Sequence, residues 1–151
     1  MKRFNSKKLL LVLVLILLGI QLFRPEKNIS IAVPAQAISP TLVPMQVGTI
    51  LKTSCYDCHS NNTSYPWYSH IQPIAWWLNS HIKDGKRHLN FDEFESYPIV
   101  KQKKKLGEIA ATVKSEEMPL SSYTLIHRNA SLSKAEQQII VNWANHLKQA
   151  K

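Results

Sequence analysis

The sequence predicts a small all-helical domain carried behind an apolar amino-terminal helix. Three observations lead there. After residue 43, apolar residues recur at helical rather than alternating spacing. Before it, residues 9–20 form an unbroken apolar run. The only two cysteines, Cys55 and Cys58, stand three apart and are followed at once by a histidine. At 151 residues the chain has the length of about one domain, and a 44% hydrophobic content excludes a disordered tail.

The amino-terminal run reads LLLVLVLILLGI; Gln21 interrupts it, and Leu22 and Phe23 close it. As a helix, residues 9–23 rise about 22 Å. That is short of the roughly 30 Å hydrocarbon core and suits a signal peptide as well as a short anchor. Lys2, Arg3, Lys7 and Lys8 precede the run, whereas Arg24 and Lys27 follow it. This asymmetry predicts a cytoplasmic amino terminus with the rest exported, outside the cytoplasmic membrane. Ala35-Gln36-Ala37 has the small-x-small form of a cleavage site but lies well past the run. An uncleaved anchor is the first expectation and cleavage near Ala37 the second. Residues 1–23 are thus read as anchor or signal. Residues 24–43, with Pro25, Pro34 and Pro40, are read as an extended tether, and 44–151 as the domain.

Within the domain, Val43, Val47, Ile50 and Leu51 mark one face of a helix leading into Cys55. Pro73 suits the start of a second helix, with Ile74, Trp77, Leu78 and Ile82 facing inward and an end at Asp84-Gly85. A short helix is expected at Phe91–Phe94, stopped before Pro98. A long one covers about 101–115, with Leu106, Ile109, Ala110 and Val113 inward. In the last helix, Ser133 and Glu136 form a capping-box pattern, and Ile139, Ile140, Trp143 and Leu147 make the apolar stripe. Residues 60–66 and 118–131 read as loops. Loops this long in so small a core suggest that something besides side chains fills the middle.

The net charge of +9 invites a nucleic-acid reading, but its placement argues against one. From residue 28 on, 13 cations face nine acids, so the exported part is only mildly basic. The run Lys101, Lys103, Lys104 and Lys105 reads first as a solvated helix face, and otherwise as a steering patch for an acidic redox partner.

Cys55-Tyr56-Asp57-Cys58-His59 has the C-x-x-C-H spacing of covalent haem attachment. Two thiols about one helical turn apart can add to the two vinyl groups on one side of a porphyrin, and His59 then lies beneath the iron as proximal ligand. This chemistry normally follows export, which the amino terminus predicts independently. Thiol redox chemistry, a zinc site and chance remain as rival readings. The first wants a βαβ context and the second four ligands. For the sixth iron position Met118 is the best placed: Pro119 stiffens its loop. Met45 and the histidines at 70, 81, 88, 127 and 146 are the alternatives, with His81 and His88 the best of these.

Cys55-x-x-Cys58-His59-Ser60-Asn61-x-Thr63-x-Tyr65-Pro66-Trp67-Tyr68 resembles the small bacterial c-type family called the haem-binding domain. Gly85-Lys86-Arg87-His88-Leu89-Asn90-Phe91 and Glu117-Met118-Pro119-Leu120 are similar to it as well, so the resemblance covers about residues 40–148. It implies a cytochrome c-like fold around one haem c. Cys55 and Cys58 would carry the thioethers, with His59 proximal and Met118 distal. Trp67 and Trp77 are candidates to wall the ring, their alternative being ordinary packing. Arg87 is a candidate partner for a propionate, its alternative being a solvated surface position.

The expected function is that of a monohaem cytochrome passing single electrons to unidentified redox proteins outside the cytoplasmic membrane. No catalytic residue and no small-molecule substrate are expected. The alternatives are a haem sensor or peroxidase-like enzyme with a displaceable sixth ligand, and a structural haem module of a membrane complex.

Overall fold

A computed structural model describes residues 6–32 and 34–151. Among these there are seven α-helices and four short 3-10 turns, and no strand. The amino-terminal helix α1 covers Ser6–Ile20, ends in a turn at Gln21–Leu22, and buries none of its residues. Among the described residues no helix is long and apolar enough to cross a membrane. Lys2 and Arg3, which enter the charge asymmetry, lie outside the described residues.

The core is built on the two longest helices of the domain. α5 (Ile99–Lys114) follows Pro98, whose missing N–H suits a helix start. α7 (Lys134–Ala150) starts at a complete capping box: the Ser133 hydroxyl accepts from the Glu136 N–H, and the Glu136 carboxylate accepts from the Ser133 N–H at 2.8 Å. Leu106, Ile109, Ala110 and Val113 of α5 pack with Ile140, Trp143, Ala144 and Leu147 of α7. Burial of each large aliphatic side chain contributes about 1.5–3 kcal/mol. α2 (Met45–Ser54) adds Val47, Ile50 and Leu51 to the same core and lies against α7. Trp143 Nε1 donates to Leu42 O at 2.8 Å, tying α7 to the chain entering α2.

α3 (Tyr56–His59) is one turn holding the motif, and it packs against α4 (Ile74–His88). Two details of α4 differ from the sequence reading. It continues three residues past Gly85, because that glycine is used for close contact inside the helix rather than to end it. Its buried positions are Ala75 and Ile82, whereas Ile74 and Trp77 are exposed. The segment Phe91–Ser96 is a 3-10 turn that buries Phe91 and Phe94. The stretch 118–131 is not all loop: it holds the one-turn helix α6 (Ser121–Thr124) and a 3-10 turn at Arg128–Ala130.

Residues 24–32 and 34–43 carry no regular element besides a 3-10 turn at Pro40–Leu42, and hydrogen bonds hold them against the domain. Ile38 is buried and its N–H donates to Phe91 O at 3.0 Å; Glu95 N–H donates to Gln36 O at 2.9 Å.

Candidate functional site

A cavity of about 380 Å³ opens between the motif turn, α4, α5 and the 118–123 segment. Its lining is mainly apolar, with Leu51, Leu89, Phe91, Ile109, Val113 and Ile140 on its walls. Volume and apolar character both fall in the usual range for small-molecule and cofactor sites, roughly 300–1,000 Å³. Cys55, Cys58, His59 and Met118 all line it.

Each of these four is positioned by an identifiable local cause. Cys55 N–H continues the α2 bonding pattern by donating to Leu51 O, so the first thiol leaves the end of a firm helix. His59 N–H donates to Cys55 O at 3.0 Å, closing the one-turn helix that sets the thiols and imidazole on neighbouring positions. Met118 N–H donates to Thr112 O at 3.2 Å, which folds the chain after α5 back over the cavity. The turn there includes Glu116 at a positive φ of 62°.

His59 Nδ1 lies 2.9 Å from Leu89 O. A carbonyl only accepts, so Nδ1 carries the proton and Nε2 keeps its lone pair. That is the orientation in which a histidine ligates a metal with its other ring nitrogen held by a second partner. Burial lowers the imidazole's pKa, against the opposing effect of backbone hydrogen bonds to Leu89 and Gly85. The neutral, ligating form is thereby favoured.

Both cysteines are free thiols. Burial pushes Cys55 up to about 12, with the Cys58 charge adding to it, and pushes Cys58 up to about 11, with Asp57 adding to it. Thiol redox catalysis uses the opposite arrangement, a thiol lowered towards neutrality. Among the described residues no group of three or more His, Cys, Asp or Glu side chains is placed to share a metal ion. A structural zinc site therefore lacks its donor set. One imidazole nitrogen, one thioether and two neutral thiols around an apolar cavity do fit a covalently held haem.

Three further candidates, Trp67, Trp77 and Arg87, lie outside the lining. Trp67 is 76% exposed, and neither it nor Trp77 lines the cavity; the Trp77 ring packs on His81, 4.2 Å between centroids. Arg87 points to solvent and pairs with Asp84 at 2.9 Å. Of the alternative axial residues, His81 and His88 line the cavity, whereas Met45 is 87% exposed.

Several lining residues are not read from the sequence as part of a site, Lys105, Gly85 and Tyr123 among them. Lys105 belongs to the basic run, yet it lines the cavity and pairs with Glu108 at 2.6 Å. Its signal was available: positions 105, 109, 112 and 113 share one helical face. Gly85 also lines the cavity, and so does Tyr123, whose hydroxyl donates to Asp57 Oδ2 at 2.6 Å. Tyr123 stacks on His127, and Tyr68 Oη lies 2.5 Å from His127 Nε2. No local pattern marks Tyr123, because its partner is 66 residues away.

A family model described as a haem-binding domain matches residues 15–146. No curated protein and no solved structure matches the chain significantly.

Proposed function

The chain belongs to the haem-binding domain family, and from that premise we propose that it is a monohaem c-type cytochrome carrying single electrons outside the cytoplasmic membrane. The observation that supports this best is the convergence of Cys55, Cys58, His59 and Met118 on one apolar cavity, with His59 Nδ1 committed to Leu89 O. Cys55 and Cys58 would hold the group through thioethers, and His59 and Met118 would be the side chains that ligate its iron. Bound there, haem would supply a reversible one-electron couple, and His/Met ligation would place its potential towards the upper part of the haem range.

The chain's own residues do the rest. The Leu89 carbonyl holds the His59 ring in one tautomer and one orientation. The Thr112 carbonyl anchors the backbone at Met118. The apolar walls would shield the group from water, and Glu108 pairs with Lys105 in the cavity lining. No substrate-transforming reaction is assigned to the protein. Its partners would be redox proteins, and the apolar amino-terminal helix would hold it to the membrane on the periplasmic side.

The test is the absorption spectrum, oxidised and reduced, of protein made together with the haem-attachment machinery. A covalent low-spin haem with the far-red methionine–iron band is expected. Met118→Ala is expected to lose that band and to bind carbon monoxide in the reduced form. A wild-type protein that is high-spin and binds carbon monoxide would favour a sensor or enzyme instead. Failure to retain haem after denaturation would remove the c-type reading.

A further inference from the structure

The exit of α1 is joined to the domain by contacts that the cavity does not require. Gln72 N–H donates to Gln21 Oε1 at 3.0 Å, and Gln21 Nε2 donates back to Gln72 O at 3.2 Å. Gln72 Nε2, at 3.0 Å, and Trp76 Nε1, at 2.7 Å, both donate to Phe23 O. Gln72 is buried. The apolar helix is therefore fastened to the start of α4 instead of leading into a free linker. Around this joint the side chains are large, apolar and open to solvent: Leu22, Phe23, Ile71, Ile74 and Trp76.

We infer that this face rests on the surface of the phospholipid bilayer that α1 enters, with Leu22, Phe23, Ile71 and Trp76 seated between headgroups and acyl chains. The inference deepens the membrane-anchor reading above and rests on it. It would give the domain a fixed orientation on the membrane, so that its redox partners meet one face of it.

Three observations commit the face to lipid. The first is continuity: the patch begins where the apolar helix ends, so a bilayer holding Leu9–Ile20 reaches Leu22 and Phe23 next. The second is length. The apolar part of α1, Leu9–Ile20, rises about 18 Å against a hydrocarbon core of roughly 30 Å. The missing distance of about 12 Å is at least the roughly 5–10 Å by which interfacial apolar faces sink into a bilayer. A short helix thus draws its attached apolar face down to the acyl boundary. The third is chemistry. Trp76 presents an apolar ring with its N–H already bonded to protein, and Arg24 and Lys27 follow at once, the cations expected near headgroup phosphates.

The test uses the full haem-loaded chain in vesicles of phosphatidylethanolamine and phosphatidylglycerol carrying a phospholipid with a photoreactive acyl chain. Adducts are mapped by mass spectrometry after irradiation. Adducts in α1 together with adducts at Leu22, Phe23 and within 71–76 are expected. Trp76→Ser and, separately, Ile71→Ser are expected to lose the 71–76 adducts while keeping those in α1 and an unchanged haem spectrum. Adducts confined to α1 would overturn the docking and leave the anchor standing. No adducts anywhere, with the protein floating free of the vesicles, would overturn anchor and docking together. Cross-links between the 71–76 segments of two copies would assign the face to self-association instead.

Discussion

A Cβ placed on Gly85 would lie 2.6 Å from the Cys58 carbonyl oxygen and 3.1 Å from the Cys58 Cβ. The first obstacle is backbone, which cannot swing aside as a flexible side chain does. Gly85→Ala must therefore part α4 from the motif turn, at a cost of about 1–3 kcal/mol typical of overpacking. We expect a lower unfolding midpoint and less haem absorbance per unit of protein. An unchanged midpoint would mean that α4 can shift freely. Tyr123 makes a second prediction. Its hydroxyl donates to the Asp57 carboxylate, and burial first, with that carboxylate second, holds the phenol's pKa far above its ordinary value. Burial and the Asp57 carboxylate thus favour the neutral, donating phenol at Tyr123. Tyr123→Phe removes a hydrogen bond to a charged group and is expected to cost about 1.5–3 kcal/mol in urea unfolding. At this scale the sequence was uneven. The four residues that converge on the cavity are those singled out by the C-x-x-C-H spacing and the Met-Pro pair. Trp67, Trp77 and Arg87 stand outside its lining because aromatic density and positive charge do not reveal which way a side chain faces. Gly85 was legible as a glycine but not as a contact, since its neighbour is 27 positions away in the chain.

Among the elements, α7 was the most legible, because both its start and its stripe are local. The Ser133 hydroxyl and backbone N–H hold the Glu136 carboxyl below the usual carboxylate range. The folded state therefore binds that proton less readily than the unfolded state. Stability from this group is complete above the unfolded carboxyl's pKa and is lost as pH falls through the lower folded value. Glu136→Gln removes the charge while keeping an acceptor. Its stability deficit relative to wild type should be constant near neutrality and close below about pH 4. A deficit that persists unchanged into acid would mean that the charge is irrelevant. Ser133→Ala should cost about 1 kcal/mol at neutral pH, as loss of an N-cap does. α4 was harder to read. A glycine followed by Lys86, Arg87 and His88 resembles a helix end, yet tertiary contact with Cys58 keeps the helix going. Of the expected inner face Ile82 is buried, whereas Ile74 and Trp77 are exposed, and Ala75, small and easily overlooked, takes the other buried place.

Over the whole molecule, the least legible feature is the path of residues 24–43. Four prolines between 25 and 44 disfavour long regular structure, and composition then reads as an extended tether. Composition does not register Asn28, whose bonds are all non-local. Its N–H donates to Tyr65 Oη at 2.7 Å, and its Nδ2 donates to Ser60 O and Thr63 Oγ1, both at 2.9 Å. Its Oδ1 accepts from Lys86 Nζ at 2.7 Å, and its carbonyl accepts from Thr63 N–H at 3.0 Å. One residue therefore joins the strap of residues 24–43, the loop after the motif and α4. The strap begins beside the α1 joint at Gln72 and reaches the core at Ile38. Asn28→Ala removes the three side-chain bonds and leaves the Lys86 ammonium without this partner. At about 0.5–1.5 kcal/mol per bond the loss should come to about 2–4 kcal/mol. Because Ile38 and Gln36 keep their own bonds to Phe91 and Glu95, the first consequence should be local opening between Arg24 and Ala35. Limited proteolysis under native conditions should cut the variant within 24–35 well before the wild type, while the α5–α7 core resists in both. Equal cutting of the two proteins would show that the strap is held by its ends alone, and that Asn28 sets only the loop after His59.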